Sequence, residues 1–358
     1  MRIGRAIKVF GVFLCTACLT GQTPGIAPPA PVNVAPATSV TGIFNWIHST
    51  ADLDRGYAFY HGVFGIEMVN APFGAIPGAP PPNTIRARAQ AISDPIVGNL
   101  TDTGNARFRN LFMRLPGAEF GLELSEFNDI EARTVRPNLW DPGATTLILE
   151  VRDIDSAFAA IRKAGAPVVT LSAAPVKIGR GVRSVFIRDP DGYLIQVIQA
   201  SPEAIAKTPV GSTVVGAAIG LTVADMAKER AFYQNILGFD ISGGSRIGGD
   251  KEMLALIGLK KGRMYRSDAN IPGTRARVEF YEFQKVRGVP LRLRIQDPGA
   301  PQLQLAVRDL DPLMQQAKEA GVTFVSVGAK PIQRAFGRFI FVLDPNGVLV
   351  EFVHPAER

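Results

Sequence analysis

The chain carries its own sequence twice, and that duplication is the strongest constraint on what it can fold into. Trp140-Asp141-Pro142-Gly143-Ala144 and Val151-Arg152-Asp153-Ile154-Asp155 return as Gln296-Asp297-Pro298-Gly299-Ala300 and Val307-Arg308-Asp309-Leu310-Asp311, at a constant offset of 156. The same offset carries Glu123-Leu124-Ser125-Glu126-Phe127 onto Glu279-Phe280-Tyr281-Glu282-Phe283. Offsets of 155 and 173 relate Asp189-Pro190-Asp191-Gly192 to Asp344-Pro345-Asn346-Gly347 and Ala58-Phe59-Tyr60 to Ala231-Phe232-Tyr233. At 358 residues there is room for two domains of roughly 100 to 200 residues, and the repeat says where they divide.

A finer repeat lies inside the large one. Four segments alternate apolar residues with period two, as half-buried strands do, and reach Asp52, Asp153, Asp225 and Asp309, each able to cap a following helix. The helices should stop at Gly65, Gly165, Gly238 and Gly321, which suit a left-handed cap, while Pro312 fits the first turn of the fourth. Short strands follow, and in two segments an Asp-Pro-Asx-Gly turn leads into a final strand. The unit is βαβββ, four times over. Its open sheet has a bare face and must pair with another unit, and the duplication suggests pairing within each half. The expected fold class is α+β, four βαβββ modules paired into two domains at residues 42–200 and 212–356, joined near Ser201 to Gly211.

The N-terminus reads as an export signal over residues 1–21: Arg2, Arg5 and Lys8 precede an apolar run from Val9 to Leu19, too short to span a bilayer. Cys15 and Cys18 both lie there, so a processed chain would hold no internal disulfide. Cys15-Thr16-Ala17-Cys18 resembles a lipoprotein cleavage box with Cys15 in place of the usual leucine, so a lipid anchor at Cys18 and simple cleavage near Gly21 both stay open. Residues 22–41 form a proline-rich linker, and the expected location is the periplasm or envelope. Removing the leader's three basic residues lowers the formal charge from +7 to +4. The remaining arginines are interspersed with acids instead of forming a basic stripe, which argues against nucleic acid as a partner.

Asp52-Leu53-Asp54-Arg55 with Phe59-Tyr60 and Val63-Phe64-Gly65, the parallel run from Asp225 to Gly238, and the Asp-Pro-Asx-Gly strands resemble the vicinal oxygen chelate superfamily. That superfamily includes glyoxalase I, extradiol dioxygenases, fosfomycin-resistance enzymes and bleomycin-binding proteins. The resemblance covers about residues 42–200 and 214–355, and implies that paired modules curl into cups holding a divalent metal on first and last strands. Carried over, its ligand positions fall on Asn45, Glu123, Thr146 and Gln196 in a first cup and on Ala218, Glu279, Gln302 and Glu351 in a second.

None of these is histidine, which argues against an extradiol dioxygenase, whose iron needs two histidines and a carboxylate. Strand parity puts Gln302, Gln304 and Ala306 on the cup face and His48 on the helix face, with Trp46 and Thr50. His61 reads as an exposed helix residue and His354 as lying off the cup. The first cup offers hydrogen-bonding groups suited to a polar ligand. In the second, Glu279, Gln302 and Glu351 supply oxygen donors suited to Mg²⁺ or Mn²⁺, but Ala218 removes a ligand and Arg277 can neutralise Glu279. No cofactor is therefore required, a divalent cation being the alternative. Phe59 to Glu123 spans 64 residues against 47 for Phe232 to Glu279, so the first copy carries about 17 extra residues around Pro72 to Gly104, which read as a lid. The expected protein is exported, glyoxalase-like, and binds a small polar molecule at degenerate metal sites. A metal-dependent lyase or isomerase and a non-catalytic envelope interaction module remain as alternatives.

Overall fold

Four aspartates start four helices, as the pattern demands. In the computed structural model, which describes residues 39–69, 90–179, 181–246 and 251–356, Asp52, Asp153, Asp225 and Asp309 all stand at N-caps with extended backbone. The first three accept hydrogen bonds from backbone N–H groups of the opening turn, which would otherwise lack partners. Gly65, Gly165, Gly238 and Gly321 all take left-handed backbone, as expected of the stop signals.

Module one comprises β1 (Val40–Ser49), α1 (Leu53–Phe64), β2 (Met68–Val69), β3 (Ile92–Ser93), α2 (Pro95–Thr101), β4 (Arg107–Arg114) and β5 (Gly121–Asn128). Module two comprises β6 (Thr145–Val151), α3 (Ile154–Lys163), β7 (Val176–Ile178), β8 (Val182–Arg188) and β9 (Leu194–Gln199), with α4 (Pro202–Ala206) in the connector. Module three runs through β10 (Val214–Val223), α5 (Met226–Glu229), β11 (Ser245–Arg246), α6 (Lys251–Leu256), β12 (Arg263–Asn270) and β13 (Arg277–Gln284). Module four has β14 (Pro301–Val307), α7 (Leu310–Glu319), β15 (Ile332–Arg334), β16 (Gly337–Leu343) and β17 (Leu349–Pro355).

Two curled mixed sheets result, which is the expected α+β class with modules in pairs. The pairs, however, are not those the duplication suggests. One sheet runs β15-β16-β17-β14-β1-β5-β4-β2 with β3 beside β4, joining modules one and four; the other runs β11-β12-β13-β10-β6-β9-β8-β7, joining two and three. Each first strand lies parallel to the last strand of its own module and antiparallel to a first strand from the other half: β1 on β14 and β6 on β10. Consecutive modules meet through their helix faces instead. Trp46 Nε1 donates to the Tyr193 hydroxyl at 2.9 Å across that junction, and one apolar cluster runs through all four modules. Burying the helix faces together removes the largest apolar surface from water, which leaves strand edges free to pair across the halves.

The leader, Cys15, Cys18 and the linker as far as residue 38 lie outside the described residues, as do residues 70–89 of the insertion. Residues 90–104 form β3 and α2, which reach module four: Asp94 pairs with Arg334, and Ser326 Oγ donates to the Leu100 carbonyl at 2.7 Å. Among the described residues no helix is long and apolar enough to cross a membrane.

Candidate functional site

Because the sheets join modules one with four and two with three, the expected ligand sets are redistributed. Glu279 lies in one sheet while Gln302 and Glu351 lie in the other, so the grouping of these three in one cup does not hold. Asn45 and Glu123 likewise part from Thr146 and Gln196. The cup of modules one and four instead brings together Asn45, Glu123, Gln302, Gln304 and Glu351.

Their order on the face follows from register. Gln304 stands beside Glu351 between β14 and β17, and a register shift in β1 between Ile43 and Trp46 brings Asn45 onto Gln304. Asn45 Nδ2 donates to Gln304 Oε1 at 2.9 Å, and Gln304 Nε2 donates to Glu351 Oε2 at 2.7 Å. Glu123 Oε1 accepts from Asn110 Nδ2 at 2.6 Å and Ser125 Oγ at 3.5 Å. Gln302, the position carried over from the superfamily, turns to Ser49 Oγ at 3.3 Å. Gln304 and Asn110 were missed as site residues. Parity already put Gln304 on this face, but counting back from the capping aspartate cannot register an irregularity in the neighbouring strand.

Around these polar groups the same face is apolar, with Phe44, Phe339, Phe341, Leu349 and Val353 packed in one cluster that Leu100 of α2 joins. All of Asn45, Glu123, Gln304 and Glu351 are buried. The Glu351 carboxyl is raised to about 8, chiefly by burial, with the hydrogen bond from Gln304 working against the rise and the charge of Glu123 adding to it. The site is thus short of positive charge. A proton on the pair supplies it, and so would a hard divalent cation: two carboxylates and two amide oxygens are the donor types that Mg²⁺ or Mn²⁺ takes. No group of three or more His, Cys, Asp or Glu converges among the described residues, so the amides would have to complete the set.

The other cup carries a different set of side chains. Alanine stands at 218 and Ile148 is the repeat equivalent of Gln304; Gln196, the equivalent of Glu351, donates to Ser184 Oγ at 3.1 Å. Glu279 is satisfied by the Tyr281 hydroxyl at 2.6 Å, with Arg277 Nε at 3.2 Å and Arg266 Nη1 at 3.5 Å, which is the charge balance expected of Arg277. The Tyr281 ring lies where a side chain at Gly220 would project, 2.7 Å from an ideal Cβ. Leu254 and Leu256 of α6, with Ile257, Leu139, Phe186 and Met264, fill the rest of the face. The Thr146 hydroxyl is buried there without a hydrogen-bond partner.

His48 lies on the helix face, as parity requires. Its Nε2 is 2.9 Å from the Tyr60 hydroxyl and 3.5 Å from Asp189, and its ring stacks on Tyr193 at 4.6 Å. His61 is exposed, and His354 lies half-buried near the end of β17.

A cup built from paired βαβββ modules defines a class, and the sequence match agrees. The chain belongs to the Glyoxalase/Bleomycin resistance protein/Dioxygenase superfamily, whose profile matches residues 46–197 and 216–352. Glyoxalase I from Zea mays shares the fold with 16% identity and a TM-score of 0.54, over 87% of this chain and 92% of that one. A candidate dioxygenase from Bacillus subtilis does so with 15% identity and a TM-score of 0.51, over 90% and 87%. At these identities the likeness speaks for the fold alone. No curated protein matches the sequence.

Proposed function

We propose that this chain binds a small molecule with a polar end and an apolar body in the cup between modules one and four, and that its other cup is structural. The observation that carries this reading is the Glu123 and Glu351 pair, set with Asn45 and Gln304 in an otherwise apolar face. Such a floor recognises hydroxyl, amide or amine groups, while Phe44, Phe339 and Phe341 accept an apolar body. Protein-observed NMR with small polar-headed compounds tests it. The reading expects saturable shifts at Leu349 and Val353 that Glu351→Ala removes; shifts confined to the other cup would contradict it.

A second reading, a metal-dependent lyase or isomerase, is favoured by the same carboxylate pair. Asn45, Glu123, Gln304 and Glu351 would hold the ion, which when bound supplies Lewis-acid stabilisation of developing negative charge on a substrate oxygen. The protein's own part would be to orient the substrate and to accept a proton at one of the two glutamate carboxylates. Thermal melts with MgCl₂ or MnCl₂ separate the two. The first reading expects no shift; a rise abolished by Glu351→Gln and by Glu123→Gln, but not by Glu279→Gln, would establish the second. A bound cation present at a hundredfold excess over its dissociation constant stabilises by about 2.7 kcal/mol, enough to see.

Export belongs to the same proposal, on the strength of Arg2, Arg5, Lys8 and the apolar run that follows. Mass spectrometry of cell fractions decides it: a processed chain, with or without lipid on Cys18, is expected outside the cytoplasm, and an intact cytoplasmic chain would refute export. An interaction module without a small-molecule ligand is the remaining alternative, and a ligand in the cup would exclude it.

A further inference from the structure

On the helix side of β12 and β13, away from both cups, module three has a half-open cavity of about 220 Å³ lined by Arg230, Tyr265, Ser267, Phe280, Glu282 and Gln284 among others. The internal repeat shows what is missing from it. In module one Glu126 Oε2 accepts from Leu53 N at 2.7 Å and from Arg109 Nη2 and Nε at 2.7 and 3.0 Å, while Asn128 Nδ2 donates to its Oε1 at 2.9 Å. Glu282, the equivalent residue, keeps the backbone and amide donors: Met226 N at 3.2 Å and Gln284 Nε2 at 3.3 Å. The guanidinium is gone. Arg109 sits opposite Glu126 between β4 and β5, and the residue opposite Glu282 is Tyr265; Asp54, which also bonds Arg109, becomes Ala227. Arg230 does not stand in, because its guanidinium is held by the carbonyls of Ile241 and Ser242, both at 2.9 Å, and by Gln234 Oε1 at 3.1 Å. Among the side chains the structure describes, which exclude that of Arg246 in register beside Tyr265, no lysine or arginine forms an ion pair with Glu282.

We infer that this cavity is a binding site for a small molecule bearing a guanidinium group, which takes the place that Arg109 fills in module one. The planar fork matches the Glu282 carboxylate as Arg109 matches Glu126, and Tyr265, which lines the cavity opposite Glu282, is an aromatic neighbour of the kind a cation takes. The site is independent of the cup described above.

NMR titration of the intact chain with methylguanidinium chloride tests this, with methylurea as a neutral probe of the same shape. The expected result is a saturable response at Tyr265 and Glu282 to methylguanidinium and none to methylurea. Glu282→Gln should weaken it at least about tenfold, as loss of a charge-assisted bond would. Tyr265→Arg rebuilds the pair of module one inside the cavity, and should abolish the response while raising the melting temperature. No saturable response to methylguanidinium, an equal response to methylurea, or binding undiminished in Glu282→Gln overturns the inference. So does a response lost in Glu351→Gln but kept in Glu282→Gln, because that would put the ligand in the cup.

Discussion

Position 351 and its repeat partner 196 mark the difference between the two cups. Glutamate at 351 faces Glu123 across the cup and must share charge with it; glutamine at 196 asks only for a hydroxyl and finds Ser184. A buried carboxyl whose folded value lies above its ordinary one keeps a proton that the unfolded chain releases. The stability Glu351 contributes is therefore complete below about 4.5 and is lost as pH rises through about 8. Across that window one retained proton corresponds to a fall of about 1.4 kcal/mol per pH unit. Glu351→Gln, which keeps the shape and removes the titration, should flatten denaturant-measured stability between those values. An unaltered slope in the variant would show that Glu351 titrates as an exposed carboxyl does.

At the scale of elements, the third helix departs from the pattern of the other three. It breaks after Glu229 into a π turn over Arg230–Gln234, where Asn235 N reaches back to the Arg230 carbonyl. Glu229 is fully buried at this break, where module one has Gly56, and Asn346 Nδ2 donates to its Oε1 while its Oε2 has no partner. Burial, and then the charge of Asp344, pushes its carboxyl up to about 10, and Asp344 itself rises to about 6 by burial. A proton held on Glu229 therefore favours the folded junction of modules three and four at low pH, and that contribution falls as pH rises. Glu229→Gln should raise the melting temperature at pH 8 and leave it nearly unchanged at pH 4.5; a variant as pH-sensitive as the parent would contradict this. The helix starts and stops were legible because caps are local chemistry, written in single residues such as Asp153 and Gly165. The break was not, since Glu229 fits a surface helix pattern as well as a buried one. Nor was α6 foreseen, whose Leu254 and Leu256 fill the second cup from within a loop.

For the whole molecule, the sequence showed four modules but not which ones pair. All four first strands offer the same kind of edge, so the repeat pattern is compatible with pairing within a half or across halves. The choice rests on the helix faces and connectors, which periodicity does not weigh. That Asn45, Glu123 and Glu351 line a cup was therefore legible, while their company was not, and Gln302 was named over Gln304 because the β1 irregularity leaves no local mark. Across-half pairing has a direct consequence. Residues 42–200 alone leave β1 and β6, and residues 212–356 alone leave β14 and β10, without their antiparallel neighbours, so neither half should persist as a folded monomer. Sedimentation with thermal melting checks this: each half should be unfolded or self-associated, and a monomeric half that melts cooperatively would contradict the topology.

Glu123 of module one and Glu351 of module four share one cup. Carbon-detected NMR titration of the Glu351 carboxyl in the parent, in Glu123→Gln and in Glu279→Gln tests it most directly. The expected midpoint is near 8 in the parent, drops when Glu123 is neutralised and stays put when Glu279 is. A midpoint in the ordinary carboxylate range, or one that follows Glu279 and ignores Glu123, would contradict it.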